Sequence, residues 1–215
     1  GSEMCIRDSA ELSRQMLAYS GKGKFLIEKV DLAELAREMT HLLSVSISKK
    51  AVLKFNFADN VPPIEADATQ IRQVIMNLVI NASEAIGDRS GVVCISTGVM
   101  HCDRAYLNEF CLDNDVDEGY YSYIEVSDTG CGMDRKTFDR LFDPFFTTKF
   151  TGRGLGLSAV LGIVRGHHGA IKPYSEPGRG STFKVLFPAL MNEVLAESDA
   201  GVQTAARGWQ PRGTV

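Results

Sequence analysis

Two asparagines one helical turn apart, an aspartate at the end of an apolar strand and a run of glycines opening a helix are the groups in this sequence with chemistry to offer. Asn77 and Asn81 fall in Asn77-Leu78-Val79-Ile80-Asn81-Ala82, and Glu84 lies on the same side of that helix. Amide and carboxylate oxygens in such a stripe suit Mg²⁺, a hard cation that keeps waters and is shared with substrate phosphates. Asp128 follows Ile124-Glu125-Val126 and precedes Thr129-Gly130-Cys131-Gly132. A carboxylate there can accept a hydrogen bond from the exocyclic amine of adenine and discriminates against bases with a carbonyl in its place. Gly130 and Gly132 let the backbone turn beneath the ring. Leu141 to Lys149 carries Phe142, Phe145 and Phe146 between turn signals, which suggests a lid or docking patch buried on closure, with Lys149 as a point charge for phosphates. Gly152-Arg153-Gly154-Leu155-Gly156-Leu157 then opens a helix, where backbone N–H groups and the helix dipole attract phosphate. Taken singly, these are equally a solvated helix face, an Asp-Thr-Gly turn and a structural aromatic turn. Together they describe a pocket for ATP and Mg²⁺.

In this order and at these separations, the four signatures resemble the catalytic, ATP-binding domain of sensor histidine kinases, within the superfamily that also holds gyrase-type topoisomerases, heat-shock chaperones and mismatch-repair ATPases. The resemblance covers about residues 25 to 190. It implies that Asn81 is the metal-ligating amide with Asn77 as its partner, and that Thr182, in Gly180-Ser181-Thr182-Phe183, supports the strand closing the site. The family usually has a small hydroxyl residue where this chain has Arg153, which adds a cation to the loop. The acceptor histidine of the family is followed by an acidic residue, whereas His41, His101, His167 and His168 are followed by Leu, Cys, His and Gly. The implied reaction is therefore transfer of the γ-phosphate to a histidine outside this sequence. The implied partners are a dimerising, phosphoacceptor helical domain and a response regulator receiver domain. Two other readings stand beside it: an ATP-hydrolysing conformational clamp, for which nothing long enough to supply a second domain follows Pro188, and a degenerate nucleotide-binding interaction module.

Composition narrows the setting. A formal charge of −4 and a pI near 5.6 argue against a nucleic-acid surface, which is usually basic. Five cysteines without a C-x-x-C pair fit a reducing, cytoplasmic setting better than a disulfide framework. No apolar stretch is long enough to cross a bilayer, so a membrane anchor of the parent protein would lie elsewhere and this portion makes no membrane contact.

These groups need elements to position them. Residues 1 to 8, with Gly1-Ser2 as a cloning scar, carry no assignment, and residues 9 to 24 read as the end of a dimerisation helix and a joint. Asp31 can cap a helix with an apolar stripe of Leu32, Leu35, Ala36, Met39, Leu42 and Leu43. Asp67 and Gln70 have capping-box spacing before Ile71, Val74, Ile75, Leu78, Val79, Ala82, Ala85 and Ile86, one continuous face. Strands are expected over 52–57, 92–99 and 121–127, with a closing hairpin at 171–175 and 182–187, and short helices over 134–142 and 157–167. Residues 103–119 form an acidic excursion without assignment. His167-His168 read as helix-capping residues, because adjacent helical positions point ~100° apart and share a metal poorly. Residues 191–215 read as a linker toward a receiver domain. The fold class expected is α+β, a two-layer sandwich with helices on one face of a mixed, mostly antiparallel sheet, and the resemblance implies a Bergerat-type ATP-binding fold over 25–190.

Overall fold

Aspartates set where most of the described helices begin. The computed structural model describes residues 26–109, 116–149 and 154–191. In it Asp31 caps Leu32–Glu38 (α1), Asp67 caps Ala68–Ile86 (α3), Asp103 caps Arg104–Leu107 (α4) and Asp134 caps Arg135–Phe138 (α5). Each carboxylate accepts from first-turn N–H groups that have no partner within their own helix. The helix expected to run on from Asp31 divides at Met39 and resumes as Thr40–Ser46 (α2). Leu35, Ala36, Met39 and Leu43 are buried as the stripe requires, but Leu42 is exposed.

Five strands form the main sheet: Ala51–Phe57 (β2), Gly91–Cys102 (β4), Gly119–Asp128 (β5), Ala170–Glu176 (β6) and Gly180–Pro188 (β7), in the order β2-β4-β5-β7-β6. All pairs are antiparallel except β2 with β4, where Ala51 lies opposite Gly91 and Phe57 opposite Thr97. A separate antiparallel pair joins Glu28–Val30 (β1) to Ile64–Ala66 (β3). β1 was not foreseen.

α3 and Gly156–Gly166 (α6) lie against one face of this sheet. Ile71, Val74, Ile75, Leu78, Val79 and Ile86 of α3 pack in one cluster with Val160, Ile163 and Val164 of α6 and with Ile95, Ile124, Val126, Phe183 and Val185 of the strands. Each such side chain contributes roughly 1.5–3 kcal/mol by leaving water, so α3 is held by its buried face. Its start shows one departure from expectation. Asp67 Oδ1 takes the N–H groups of Thr69 and Gln70, but the Gln70 side chain does not return the bond, and its Oε1 is buried without a partner. The Asp67 N–H donates instead to His167 Nε2 at 3.0 Å.

The opposite face is partly covered too. Tyr121 of β5, Ala170 of β6 and Leu186 of β7 gather with Cys102, Leu107 and Val116 into a second, smaller apolar cluster. α4 lies over it, tied by Lys172 Nζ to Glu109, by an Arg104 guanidinium N–H to the Val116 carbonyl and by the Tyr121 hydroxyl to the Asp117 carbonyl. The described part of the acidic excursion is therefore a cover for the outer side of the sheet. Its acidic side chains reach outward while Leu107 and Val116 supply the contact.

Candidate functional site

β5 ends on Asp128, and the loop that follows it is fastened to the C-terminal half of α3. The Cys131 N–H donates to the Ala85 carbonyl at 2.9 Å, and Ala85 is one turn beyond Asn81. The loop from Asp128 to Met133 is fastened on its other side to the β6–β7 hairpin, through the Gly178 N–H to the Cys131 carbonyl at 2.7 Å and the Met133 N–H to Ser175 Oγ at 2.8 Å.

Glycine is required here by space. A Cβ on Gly130 would stand 2.6 Å from the Ala85 carbonyl carbon, and one on Gly132, where φ is +64°, 2.0 Å from the Glu176 oxygen. Gly180, with φ +94°, approaches so closely that a Cβ would meet the Asp128 backbone oxygen at 1.9 Å.

The Asp128 side chain is 6% exposed. Its Oδ1 accepts the Gly130 N–H at 2.7 Å. Burial pushes its carboxyl above the usual carboxylate range, and the N–H groups of Gly130 and Ser181 and the nearby charge of Lys149 act in the opposite direction. A carboxylate in so dry a place, with acceptor capacity left over, can discriminate sharply among donors.

Asn77 and Asn81 face the same cleft. Asn77 Nδ2 donates to the Gly156 carbonyl at 3.3 Å, and Asn81 Oδ1 accepts from Lys149 Nζ at 3.2 Å. The ammonium also meets Glu84 Oε2 at 2.5 Å. Lys149 thus touches Asn81 and Glu84 on α3 and acts electrostatically on Asp128, which brings these predicted side chains to one place. An ammonium shared by an amide oxygen and a carboxylate oxygen stands in for a cation, and that oxygen set suits Mg²⁺.

The glycine loop is described from Gly154 onward. Gly154 has φ +67°, and a Cβ on it would lie 2.4 Å from the Phe145 carbonyl carbon. Gly156 begins α6 beside the two asparagines, where a Cβ would come into ordinary contact with Asn81 Nδ2 and Asn77 Cγ, at 3.8 and 4.0 Å. No side chain caps α6, unlike the helices begun by aspartates, which leaves its first N–H groups available to an anion. Leu155 is buried and Leu157 packs against the main core, so both serve through backbone and packing. Gly152 and Arg153 lie outside the described residues, as do 9–24 and the stretch beyond Met191.

Two expectations change. Thr182 does not turn into the cleft. It stands opposite Ser127, and the two hydroxyls bond at 2.9 Å on the outer side of the sheet, while Val126 and Phe183 take the inner side. Its neighbour Ser181, which sequence reasoning passed over, is 6% exposed, gives its N–H to Asp128 and bonds Ser175 Oγ at 3.0 Å. The three aromatics of the presumed lid also divide. Phe142 packs against the main core, the Phe146 ring lies under the Arg140 guanidinium at 4.3 Å, and only Phe145 is well exposed, at 60%. Phe145 holds φ +66° and gives its N–H to the Gly154 carbonyl at 2.9 Å.

A shallow cavity of about 160 Å³ borders this wall, lined by Ser127, Asp128, Tyr174, Arg179, Ser181 and Thr182 among others. Among the described residues no helix is long and apolar enough to cross a membrane.

Comparison with known proteins places this arrangement. A family profile described as histidine kinase-, DNA gyrase B-, and HSP90-like ATPase matches residues 66–191. The sensor kinase CckA of Brucella abortus (strain 2308) is 35% identical over 191 residues, 88% of this chain and 20% of that protein. The sensor histidine kinase ZraS of Escherichia coli (strain K12) is 34% identical over 163 residues, 75% of this chain and 31% of that protein. Among solved structures, the catalytic domain of histidine kinase ThkA is similar with a TM-score of 0.59 and 30% identity, covering 76% of this chain and 95% of that one. Full-length ShkA in complex with AMPPNP shares the fold, with a TM-score of 0.64 at 24% identity over 86% of this chain and 38% of that one. The chain spans about a fifth to a third of the length of the two curated relatives.

Proposed function

This chain belongs to the family of histidine kinase-, DNA gyrase B-, and HSP90-like ATPases, and from that premise we propose that it is the ATP·Mg²⁺-binding catalytic domain of a two-component sensor histidine kinase. The observation that carries this reading is the meeting of Asn81 and Glu84 of α3 at the Lys149 ammonium, whose charge also acts on the buried Asp128 at the end of β5. The assignment to kinases within the family rests on relatives that are named sensor kinases and on the likeness to the ThkA catalytic domain.

In the proposed reaction Asp128 accepts from the adenine amine, which sets the purine at the β5 end of the cleft. Gly130 and Gly132 keep the backbone low enough for the ring to lie over it. The uncapped start of α6 and Lys149 hold the phosphates by N–H donation and by charge. Asn81, with Asn77 and Glu84 beside it, would hold the metal, whose chemistry when bound is to neutralise charge on the phosphate oxygens as the γ-phosphoryl group leaves. The acceptor is a histidine on a separate helical domain, and a receiver domain takes the phosphoryl group next.

Calorimetry with AMPPNP and Mg²⁺ tests the pocket. Wild type should bind, and Asp128→Ala should lose about 10- to 100-fold in affinity, the worth of a hydrogen bond to a charged group. Equal affinity in the two proteins would remove Asp128 from the site. Mixing the chain with a histidine-bearing helical hairpin from a related kinase and labelled ATP tests the transfer. Label appearing only as free phosphate would point to hydrolysis instead.

A further inference from the structure

The oxygens that suit a metal are not idle. Asn81 Oδ1 and Glu84 Oε2 sit three residues apart on α3, on neighbouring positions of one helix face, and both converge on the same ammonium, at 3.2 and 2.5 Å. We propose that Lys149 is a resident cation at the metal position of this site, so that a divalent ion enters by exchanging with the ammonium. The inference rests on the nucleotide-site reading above and adds to it a control on when the metal can bind.

Two features of the contact favour exchange over a structural role. The side chains of Lys149 and Glu84 are 36% and 50% exposed, and ion pairs so open to water contribute little to folding. The contact is therefore easily given up. Its donors are hard oxygens, and a doubly charged ion gains more from them than a singly charged one at similar distance. Only a ligand that supplies an alternative anion for the ammonium removes the competition completely. A triphosphate does so, because Lys149 can turn from Glu84 to a phosphate oxygen as the metal takes its place. A free divalent ion arriving without nucleotide must displace a like charge whose only alternative is water.

The lysine also joins two elements. It lies four residues beyond Phe145, whose left-handed backbone φ of +66° is unusual for a side chain of that size. The Lys149 contact fastens the segment carrying Phe145 to α3.

The test uses Mn²⁺ alone, with no nucleotide, on the whole chain, and counts free Mn²⁺ by electron paramagnetic resonance. Wild type should bind weakly. Lys149→Met, which keeps the length of the side chain and removes its charge, should bind about tenfold more tightly, as expected for loss of a unit positive charge at contact distance. Lys149→Arg should stay near wild type, and Lys149→Met combined with Glu84→Gln should lose the gain. Equal Mn²⁺ affinity in wild type and Lys149→Met overturns the proposal, and so does a gain that survives Glu84→Gln, because the ion then sits elsewhere. Calorimetry of AMPPNP with Mg²⁺ on the same wild-type protein separates the two readings. Failure to bind nucleotide sinks the function proposed above whatever Mn²⁺ does, while nucleotide binding without the Mn²⁺ gain sinks only the exchange.

Discussion

Asp128 sits in a place that disfavours its charge. Its carboxyl lies above the usual range because it is buried, and two backbone N–H groups and the Lys149 ammonium counter only part of that effect. A folded-state value raised above the unfolded one means that the fold takes up a proton more readily than the unfolded chain. The contribution of Asp128 to stability is then fully present at pH below the ordinary carboxylate range and is lost as pH rises through the raised value. The proposed recognition of adenine by Asp128 needs the charged form and runs the other way. Chemical denaturation of wild type against Asp128→Ala, over pH 4 to 8, should show wild type gaining in relative stability as pH falls. AMPPNP affinity should decline over the same interval. Parallel trends in the two measurements would contradict the assignment. Asp128 was legible in the sequence because an apolar strand ends on it and glycines follow. Ser181 was not, since choosing between Ser181 and Thr182 requires the phase of β7, and a slip of one residue in a strand moves a side chain to the other face. That phase is set by Phe183 opposite Val126, a pairing between strands far apart in sequence.

α3 was the most legible element, because its apolar face recurs without interruption through five turns and buries as a single surface. What holds its first turn was hidden. His167 reaches across from the end of α6, with Nε2 accepting from the Asp67 N–H and Nδ1 bonded to the Ile163 carbonyl at 2.8 Å. The two contacts together place the ring proton on Nδ1. Capping was the role expected for this residue, and the ring does serve its own helix end, but it also takes the place that a reciprocal Gln70 would have filled. His168 follows in the left-handed region at φ +53°, which completes the turn out of α6. His167→Ala leaves the Asp67 N–H without its acceptor, while the Ile163 carbonyl keeps the backbone N–H of residue 167, and should destabilise the protein by about 1–3 kcal/mol in urea denaturation. A loss below about 0.5 kcal/mol, the level of an ordinary surface change, would show that the tie between α3 and α6 lies elsewhere. β1 escaped detection because three residues carry too little periodicity, and the parallel pairing of β2 with β4 cannot be read from either strand alone.

At the scale of the molecule, one sheet divides two apolar layers of unequal size. The larger holds α3 and α6 and carries the cleft, and the smaller lies under α4 on the outer side. The sandwich with helices on one face was legible in the alternation of strands and helices. The outer layer was not, because its members Cys102, Leu107, Tyr121, Ala170 and Leu186 come from separate segments and share no local pattern. Leu107→Ala should cost about 2 kcal/mol or more and speed hydrogen exchange over 104–107, yet leave AMPPNP affinity unchanged. A matching loss of affinity would mean that the outer layer sets the geometry of the pocket through the sheet.

The two ends of the cleft are fastened very differently. The Asp128 end is stitched by backbone bonds to Ala85 and Gly178 and by the Ser175 hydroxyl, and Gly130, Gly132 and Gly180 there leave no room for a methyl. The Lys149 end is closed by amide and ammonium contacts on partly exposed side chains. On the proposed reading a nucleobase would meet a ready-made socket, and a nucleoside would dock and depart without disturbing the clasp opposite. Commitment is reserved for the visitor that brings its own counter-charge.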